Sequence, residues 1–332
     1  MQDKNLLKMI YLYRRIWYNL RKIRIGRDSM KMMIIGGGAM GLFLAAKLSQ
    51  SDFDVTLCVR TKEQALALSR EGLTLKDGSS SYQLPVKAKM TQEAPIEEAD
   101  IIIVTVKSYS LTTLFAHLEP RLTKHQTILF MQNGMSHIEL AENLAVETIG
   151  LGIMSHGAMR ESETMVHHTG TGTFRWAQFK GAPDILDEVM NKIDRPGFEV
   201  YKEDDWYILL WSKLLANVCI NPITALTGVR NGELLNSEEL LHILREVFEE
   251  AMKLHPLPDH KEEYWKQVLQ ICEQTKNNQS SMLVDIRHHR QTEIESILGY
   301  VCNMAKAKHI TLPMITFLYK AITEREQSFR SC

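Results

Sequence analysis

The chain has 332 residues, 45% of them hydrophobic and 24% charged, with a formal net charge of −1; such a length suggests two domains and such a composition a globular protein. Residues 1–29 carry eight Lys or Arg against two Asp, a surplus of six, so the remainder carries −7 and offers no basic surface for nucleic acid. Five scattered cysteines (58, 219, 272, 302 and 332) form no CxxC and no metal spacing, which argues against a disulfide scaffold and fits reduced thiols in a cytoplasm; no run reaches the ~18 apolar residues expected of an integral membrane segment.

Residues 1–30 read as an N-terminal extension outside the fold. Met9 to Ile25 mixes aromatics and aliphatics with Arg14, Arg15, Arg21, Lys22 and Arg24, the makeup of a basic amphipathic segment touching a membrane or a partner. It has no small-residue cleavage site. The first strand comes only at Met32, so an upstream start, with the fold beginning near Met30 or Met32, is the plainer expectation.

Met32-Met33-Ile34-Ile35 runs into Gly36-Gly37-Gly38-Ala39-Met40-Gly41 and then into a helix from Leu42 to Leu48. Glycines at 36, 38 and 41 fit the dinucleotide fingerprint: the first for a tight turn, the second for close approach of a pyrophosphate, the third for packing helix on strand. The helix N-terminus then offers free N–H groups to the phosphates. A short strand follows, Asp54 to Val59, and Arg60 stands at its end with Lys62 close by. An acid there would bond the ribose hydroxyl of NAD; a cation suits a 2′-phosphate, so NADP(H) is the expected cofactor.

Glu63 to Glu71 reads as a helix closed by Gly72, and residues 73–90 as a strand pair turning at Asp77-Gly78. Asp100 to Val106 is a continuous apolar run, as in a strand covered on both faces, and it ends at Lys107. Thr127 to Met131 is another, ending at Gln132-Asn133-Gly134. Thr148 to Met154 is a further strand, followed by His156-Gly157-Ala158, and short strands are expected over 164–180. This alternation predicts an α/β Rossmann-type doubly wound parallel sheet over residues 31–200. Ligands in that architecture sit beyond the carboxyl ends of the strands, where Gly36, Arg60, Lys107 and Asn133 all fall. Arg195-Pro196-Gly197 marks the approach to a boundary. From about Asp204 helical patterns take over, which predicts an all-α C-terminal domain over 201–330, with a polar break at 277–281.

Lys213, Asn217 and Asn221 are spaced i, i+4, i+8 within an otherwise apolar stretch ending at Pro222. On a helix they share one face, and buried polar groups need partners. Either an internal network braces the two halves, or a ligand binds there; Asn231-Gly232 just beyond favours the ligand. The twelve histidines offer no zinc spacing, and His167-His168 and His288-His289 read as surface pairs.

Taken together, the glycine turn, Lys107, Gln132-Asn133-Gly134, Lys213 with Asn217 and Asn221-Pro222, Asn231-Gly232-Glu233-Leu234, and Ser280-Ser281-Met282 with Asp285 and Glu293 resemble the ketopantoate reductase family. The likeness runs from about residue 31 to 328, and the lysine–asparagine helix with the Ser-Ser-Met block is its specific part. The resemblance implies NADPH-dependent reduction of 2-dehydropantoate (ketopantoate) to (R)-pantoate, on the route to pantothenate and coenzyme A. It implies Lys213 as proton donor, with Glu293 assisting it. It implies Asn217, Asn221, Asn231, Asn278 and Ser281 as substrate contacts, and Asn133 between substrate and cofactor. Gly36 to Gly41, Arg60, Lys107, Ala158 and Glu293 would lie on the cofactor side.

The chemistry suits those roles. Hydride added to a ketone carbon leaves charge on oxygen, which a positioned ammonium stabilises and protonates. Ser281 suits the N-cap of a helix that would carry Glu293 twelve residues on, about 18 Å away along a continuous helix. On that geometry Glu293 meets the nicotinamide ribose or Lys213 rather than a substrate carboxylate beside Ser281. Two alternatives stay open: a reductase of another branched 2-oxo acid on the same scaffold, and a non-catalytic NADP(H)-binding regulatory protein. The helical domain could also offer an apolar face for a homodimer.

Overall fold

The structure, a computed structural model, describes residues 29–330. The basic segment Met9 to Ile25, and all but the last two residues of the expected extension 1–30, lie outside the described residues.

The first half supplies strands β1 (Lys31–Ile35), β2 (Asp54–Val59), β3 (Leu73–Asp77), β4 (Ser80–Leu84), β5 (Lys87–Met90), β6 (Ile101–Val104), β7 (Thr127–Phe130) and β8 (Thr148–Met154). It continues with β9 (Gly157–Arg160), β10 (Met165–Gly170), β11 (Phe174–Lys180) and β12 (Val200–Glu203). Helices α1 (Ala39–Leu48), α2 (Lys62–Glu71), α3 (Leu111–Leu118), α4 (Ile138–Asn143) and α5 (Asp184–Ile193) connect them. Eight strands form the main sheet in the order β12-β11-β8-β7-β6-β1-β2-β5. It is parallel throughout except where β11 runs against β8. This is the expected α/β architecture, with β1 at the point where the strand order reverses.

Two details differ from the sequence reading. Residues 73–90 hold three strands rather than a pair: β3 and β4 form the hairpin, turning at Gly78 with φ +58°, and β5 leaves to pair with β2. The hairpin belongs to a second sheet, ordered β4-β3-β10-β9, which lies against α1. Arg195-Pro196-Gly197 is followed by one more strand before the chain turns helical. It is a turn before β12, a short edge strand that pairs parallel with β11. With only four residues and two outward polar side chains, β12 carries too little apolar pattern to be read in advance.

The period of two along the buried strands divides the core. Met32, Ile34, Ile101, Ile103 and Leu129 pack with α1 on one face of the sheet. Met33, Ile35, Ile102, Val104, Ile128 and Phe130 pack on the other, in one cluster with Trp211, Leu214 and Val218. These last belong to α6 (Trp206–Thr227), so strands and later helices share a core.

After β12, every element among the described residues is helical. They are α6, α7 (Glu233–Asn236), α8 (Glu238–Met252), a 3-10 turn Pro258–His260, α9 (Lys261–Gln274), α10 (Ser281–Arg287), a π-turn Glu295–Gly299, α11 (Tyr300–Ala307) and α12 (Pro313–Arg330). Asp205 caps α6 by accepting from the Tyr207 and Ile208 amides, and Gly228, left-handed at φ +79°, ends it. Helices α8, α10 and α12 pack around it. With an 18-residue window of mean hydropathy 1.3, α6 is long and apolar enough by composition alone to cross a membrane, although Ser212, Lys213, Asn217 and Asn221 interrupt its apolar run. That stretch is 83% buried inside the protein, as befits a core helix.

Candidate active site

The glycine turn divides its work among its residues. Gly36 has φ +127°, and a Cβ there would lie 2.7 Å from Thr105 Oγ1. A Cβ on Gly41 would lie 1.8 Å from the Gly36 carbonyl oxygen, so the turn could not fold over α1 with any other residue. Gly38 is exposed, and a Cβ there would meet nothing within 4 Å. The space above Gly38 is therefore open, and α1 starts there with Ala39 and Met40. Gly37 is held from behind: its carbonyl accepts from Gln64 Nε2 at 2.9 Å and Arg160 Nη1 at 3.0 Å. Arg60 is exposed at the residue after β2, and neighbouring Thr61 caps α2 by accepting from the Gln64 amide. Ala158 lies on β9, opposite His168 and close to α1.

Past the ends of β6 and β7 a charged cluster links the two halves of the chain. Lys107 Nζ lies 3.1 Å from Glu293 Oε2 and 3.2 Å from Asp285 Oδ2. Glu293, 5% exposed, also accepts from Asn133 Nδ2 at 2.9 Å and from the Ser108 amide at 3.3 Å. Burial works to lower the Lys107 pKa, but the carboxylates of Glu293 and Asp285 outweigh it and the net shift is upward. Gly134 completes the joint: at φ +77°, a Cβ there would lie 2.0 Å from the Ser296 carbonyl oxygen. That carbonyl accepts from the Met135 amide.

A second group lies along α6. Lys213 is half-buried, and burial pushes its pKa down. No carboxylate opposes it. Asn217 and Asn221, 8% and 6% exposed, follow at one-turn intervals. Among the described residues the side chains of all three make no hydrogen bond or ion pair. Polar groups on a buried helix are ordinarily paired with protein; these three are not. Asn231 is half-satisfied: Nδ2 donates to Thr275 Oγ1 at 2.9 Å, and Oδ1 has no partner. Asn278 is exposed and contributes its backbone carbonyl, which accepts from the Asn231 amide at 3.1 Å.

The structure overturns the expected geometry around Ser281. The cap is Ser280, buried, whose Oγ accepts from the Leu283 amide and from Thr224 Oγ1 at 2.7 Å; Ser281 is exposed in the first turn. Glu293 is not on that helix. Helix α10 ends at Arg287, and His289 at φ +53° turns the chain out. Arg290 then folds back, its amide donating to the Asp285 carbonyl and its Nε to the Asp285 carboxylate. The 18 Å separation argued from a continuous helix therefore does not apply. Glu293 sits just before the π-turn, bonded to Lys107, Asn133 and Ser108 and not to Lys213. His168 is likewise no surface residue. It is 7% exposed, stacked on Phe43 and bonded to Asp77 and His156.

A glycine turn at the switch point of a parallel sheet, in one core with a helix bearing an unpaired lysine, places the protein among two-part dinucleotide-fold reductases. Comparison with known proteins narrows the class. The family model described as ketopantoate reductase PanE/ApbA matches residues 32–181, and its C-terminal counterpart matches residues 205–326. A 2-dehydropantoate 2-reductase of Bacillus subtilis is 41% identical over 301 residues, covering 90% of this chain and 98% of the relative. One from Pyrococcus horikoshii is 30% identical over 300 residues, with 90% and 98% covered. The crystal structure of a probable 2-dehydropantoate 2-reductase from Bacillus subtilis superposes with a TM-score of 0.79 at 40% identity, covering 89% of this chain and all of that one. A D-mandelate dehydrogenase bound to NADH shares the fold, at TM-score 0.83 and 22% identity, covering 91% and 100%. The chain belongs to the ketopantoate reductase family.

Proposed function

We propose that this chain reduces 2-dehydropantoate to (R)-pantoate with NADPH, residues 31–200 holding the cofactor and residues 201–330 the substrate. The observation that carries the reading is the unpaired stripe Lys213, Asn217 and Asn221 on a buried helix. The glycine turn fits a dinucleotide, because only Gly38 fronts open space while Gly36 and Gly41 are packed. Gly36 to Gly41 would hold the pyrophosphate, Arg60 the 2′-phosphate, and Ala158 and Lys107 would line the cofactor side. NADPH, when bound, supplies the hydride. Lys213 donates a proton to the substrate's carbonyl oxygen as charge develops there. Asn217, Asn221, Asn231 and Ser281 bind the carboxylate and hydroxyl of the acid, with the Asn278 carbonyl fixing Asn231. Asn133 lies between the two ligands, oriented by Glu293. The free thiols of Cys58, Cys219, Cys272 and Cys302 support a cytoplasmic setting. A homodimer through the helical half, where Phe317 is 58% exposed, completes the reading; sedimentation at the mass of one chain removes it.

The test is NADPH oxidation with 2-dehydropantoate against 2-oxoisovalerate, which lacks the terminal hydroxyl. A site built to pair a hydroxyl discriminates by up to about 10⁴–10⁵. A strong preference for the hydroxylated acid is expected; equal rates overturn the substrate assignment.

A further inference from the structure

We infer that Gln64 and Arg160 are positioning residues for the cofactor's pyrophosphate, acting by fixing the peptide plane between Gly37 and Gly38; the inference rests on reading the glycine turn as the NADPH site. A peptide flanked by two glycines rotates at little steric cost. An unrestrained turn would therefore present its N–H toward the phosphates only part of the time. Here the Gly37 carbonyl accepts two side-chain hydrogen bonds, from Gln64 Nε2 at 2.9 Å and from Arg160 Nη1 at 3.0 Å. In a trans peptide the C=O and N–H point in opposite directions. Anchoring the carbonyl thus aims the Gly38 N–H away from Gln64 and Arg160, at a residue that is exposed and whose Cβ position has nothing within 4 Å. That N–H has no protein acceptor among the described residues.

Both donors are themselves held. Gln64 is 4% exposed on α2, and its Nε2 also donates to the Glu163 carbonyl at 3.1 Å. Arg160 donates Nε to the Ser162 carbonyl at 3.0 Å, and its Nη2 pairs with the Glu163 carboxylate. The result is a closed polar ring joining the glycine turn, α2 and the segment between β9 and β10. The guanidinium bond is charge-assisted and the stronger of the two. Neither side chain needs to touch the cofactor: their effect is to pre-orient a donor, which lowers the cost of binding.

Gln64→Met keeps the length without the donor, and Arg160→Met removes a donor from a side chain 34% exposed, where folding tolerates the change. NADPH and adenosine 2′-monophosphate, which lacks the pyrophosphate, are titrated calorimetrically into each variant. Each substitution is expected to weaken NADPH about three- to tenfold, and the pair about thirtyfold. Adenosine 2′-monophosphate affinity, Tm within about 2 °C for Arg160→Met, and KM for the oxo acid at saturating NADPH are expected unchanged. Arg160→Lys, which retains a donor, is expected to recover most of the affinity. NADPH affinity within about twofold of the parent in the double variant overturns the inference, as does equal weakening of both nucleotides. Failure of the unsubstituted protein to bind NADPH overturns instead the reading on which it rests.

Discussion

Lys107 lies between two carboxylates, whereas Lys213 lies beside none, although both side chains are partly buried. Burial lowers the pKa of both; at Lys107 the Glu293 and Asp285 charges reverse it, and at Lys213 nothing does. Burial alone therefore does not decide a lysine's character; its partners do. Lys107 joins the strand-bearing half of the chain to the helical half. Lys213 has no acceptor among the described residues, and its burial costs stability.

The largest expected effect is that of Lys213→Met. Loss of a general acid lowers turnover by about a hundredfold or more, with NADPH affinity, measured by titration, unchanged. The same substitution is expected to stabilise the fold. A folded pKa below the unfolded reference of about 10.4 means the unfolded chain binds more protons across that interval, so stability rises with pH there. Below it, the full cost of burying the ammonium is present. Lys213→Met should therefore raise Tm by about 2 °C at neutral pH, the gain fading toward pH 10. A variant that is both inactive and less stable would make Lys213 a brace, and the contrast with Lys107 would fall.

Glu293→Gln probes the other lysine. Asn133 and Ser108 donate to different oxygens of Glu293, so the amide keeps an acceptor for only one of them, and Lys107 loses the nearer of its two carboxylates. With Lys107 38% exposed, solvent screening reduces the loss, and about 1–2 kcal/mol is expected at neutral pH. The sign with pH is opposite to that of Lys213. A raised folded pKa stabilises below the unfolded reference near 10.4, and the contribution disappears as pH rises through the folded value. Melting curves at pH 7.5 and near pH 11 should show the gap between Glu293→Gln and the parent closing. A constant gap would mean that Glu293 acts through its hydrogen bonds and not through Lys107.

The two regions also differ in how far they could be read from the chain. The glycine turn and the Lys213 stripe were legible because each lies within one element: a strand–turn–helix in the first case, a single helical period in the second. The Lys107 cluster brings together residues 178 and 186 positions apart, and sequence spacing carries no sign of that meeting. The strand ends point to Lys107 and Asn133, the resemblance alone to Glu293, and nothing in the sequence to Ser108 or to the pairing of Asp285 with Lys107. The partners of Gly37 were missed for the same reason: Arg160 lies 123 residues away and carries no motif. Glu293 was misplaced because its segment looks helical from Ser281 onward. The break at Arg287 is made by a local cap, the Arg290 amide and guanidinium to Asp285, followed by one tertiary bond, the Thr292 amide to Glu326, and helix propensity records neither.

The smallest effect tests the contrast at two adjacent residues. Ser280 is paired within the protein, capping α10 and accepting from Thr224 of α6, whereas Ser281 is exposed and its side chain has no protein partner. Ser280→Ala removes a cap and is expected to cost about 1 kcal/mol of stability, read as a lower urea midpoint at unchanged slope. Ser281→Ala should leave that midpoint alone, because the hydroxyl has no protein partner, and should raise KM for the oxo acid if Ser281 is the substrate contact proposed above. If instead Ser280→Ala raises KM while stability holds, then the hydroxyl buried against α6 is the one that meets the substrate. The rule that separates paired from unpaired groups would then fail at the residue nearest to the Lys213 helix.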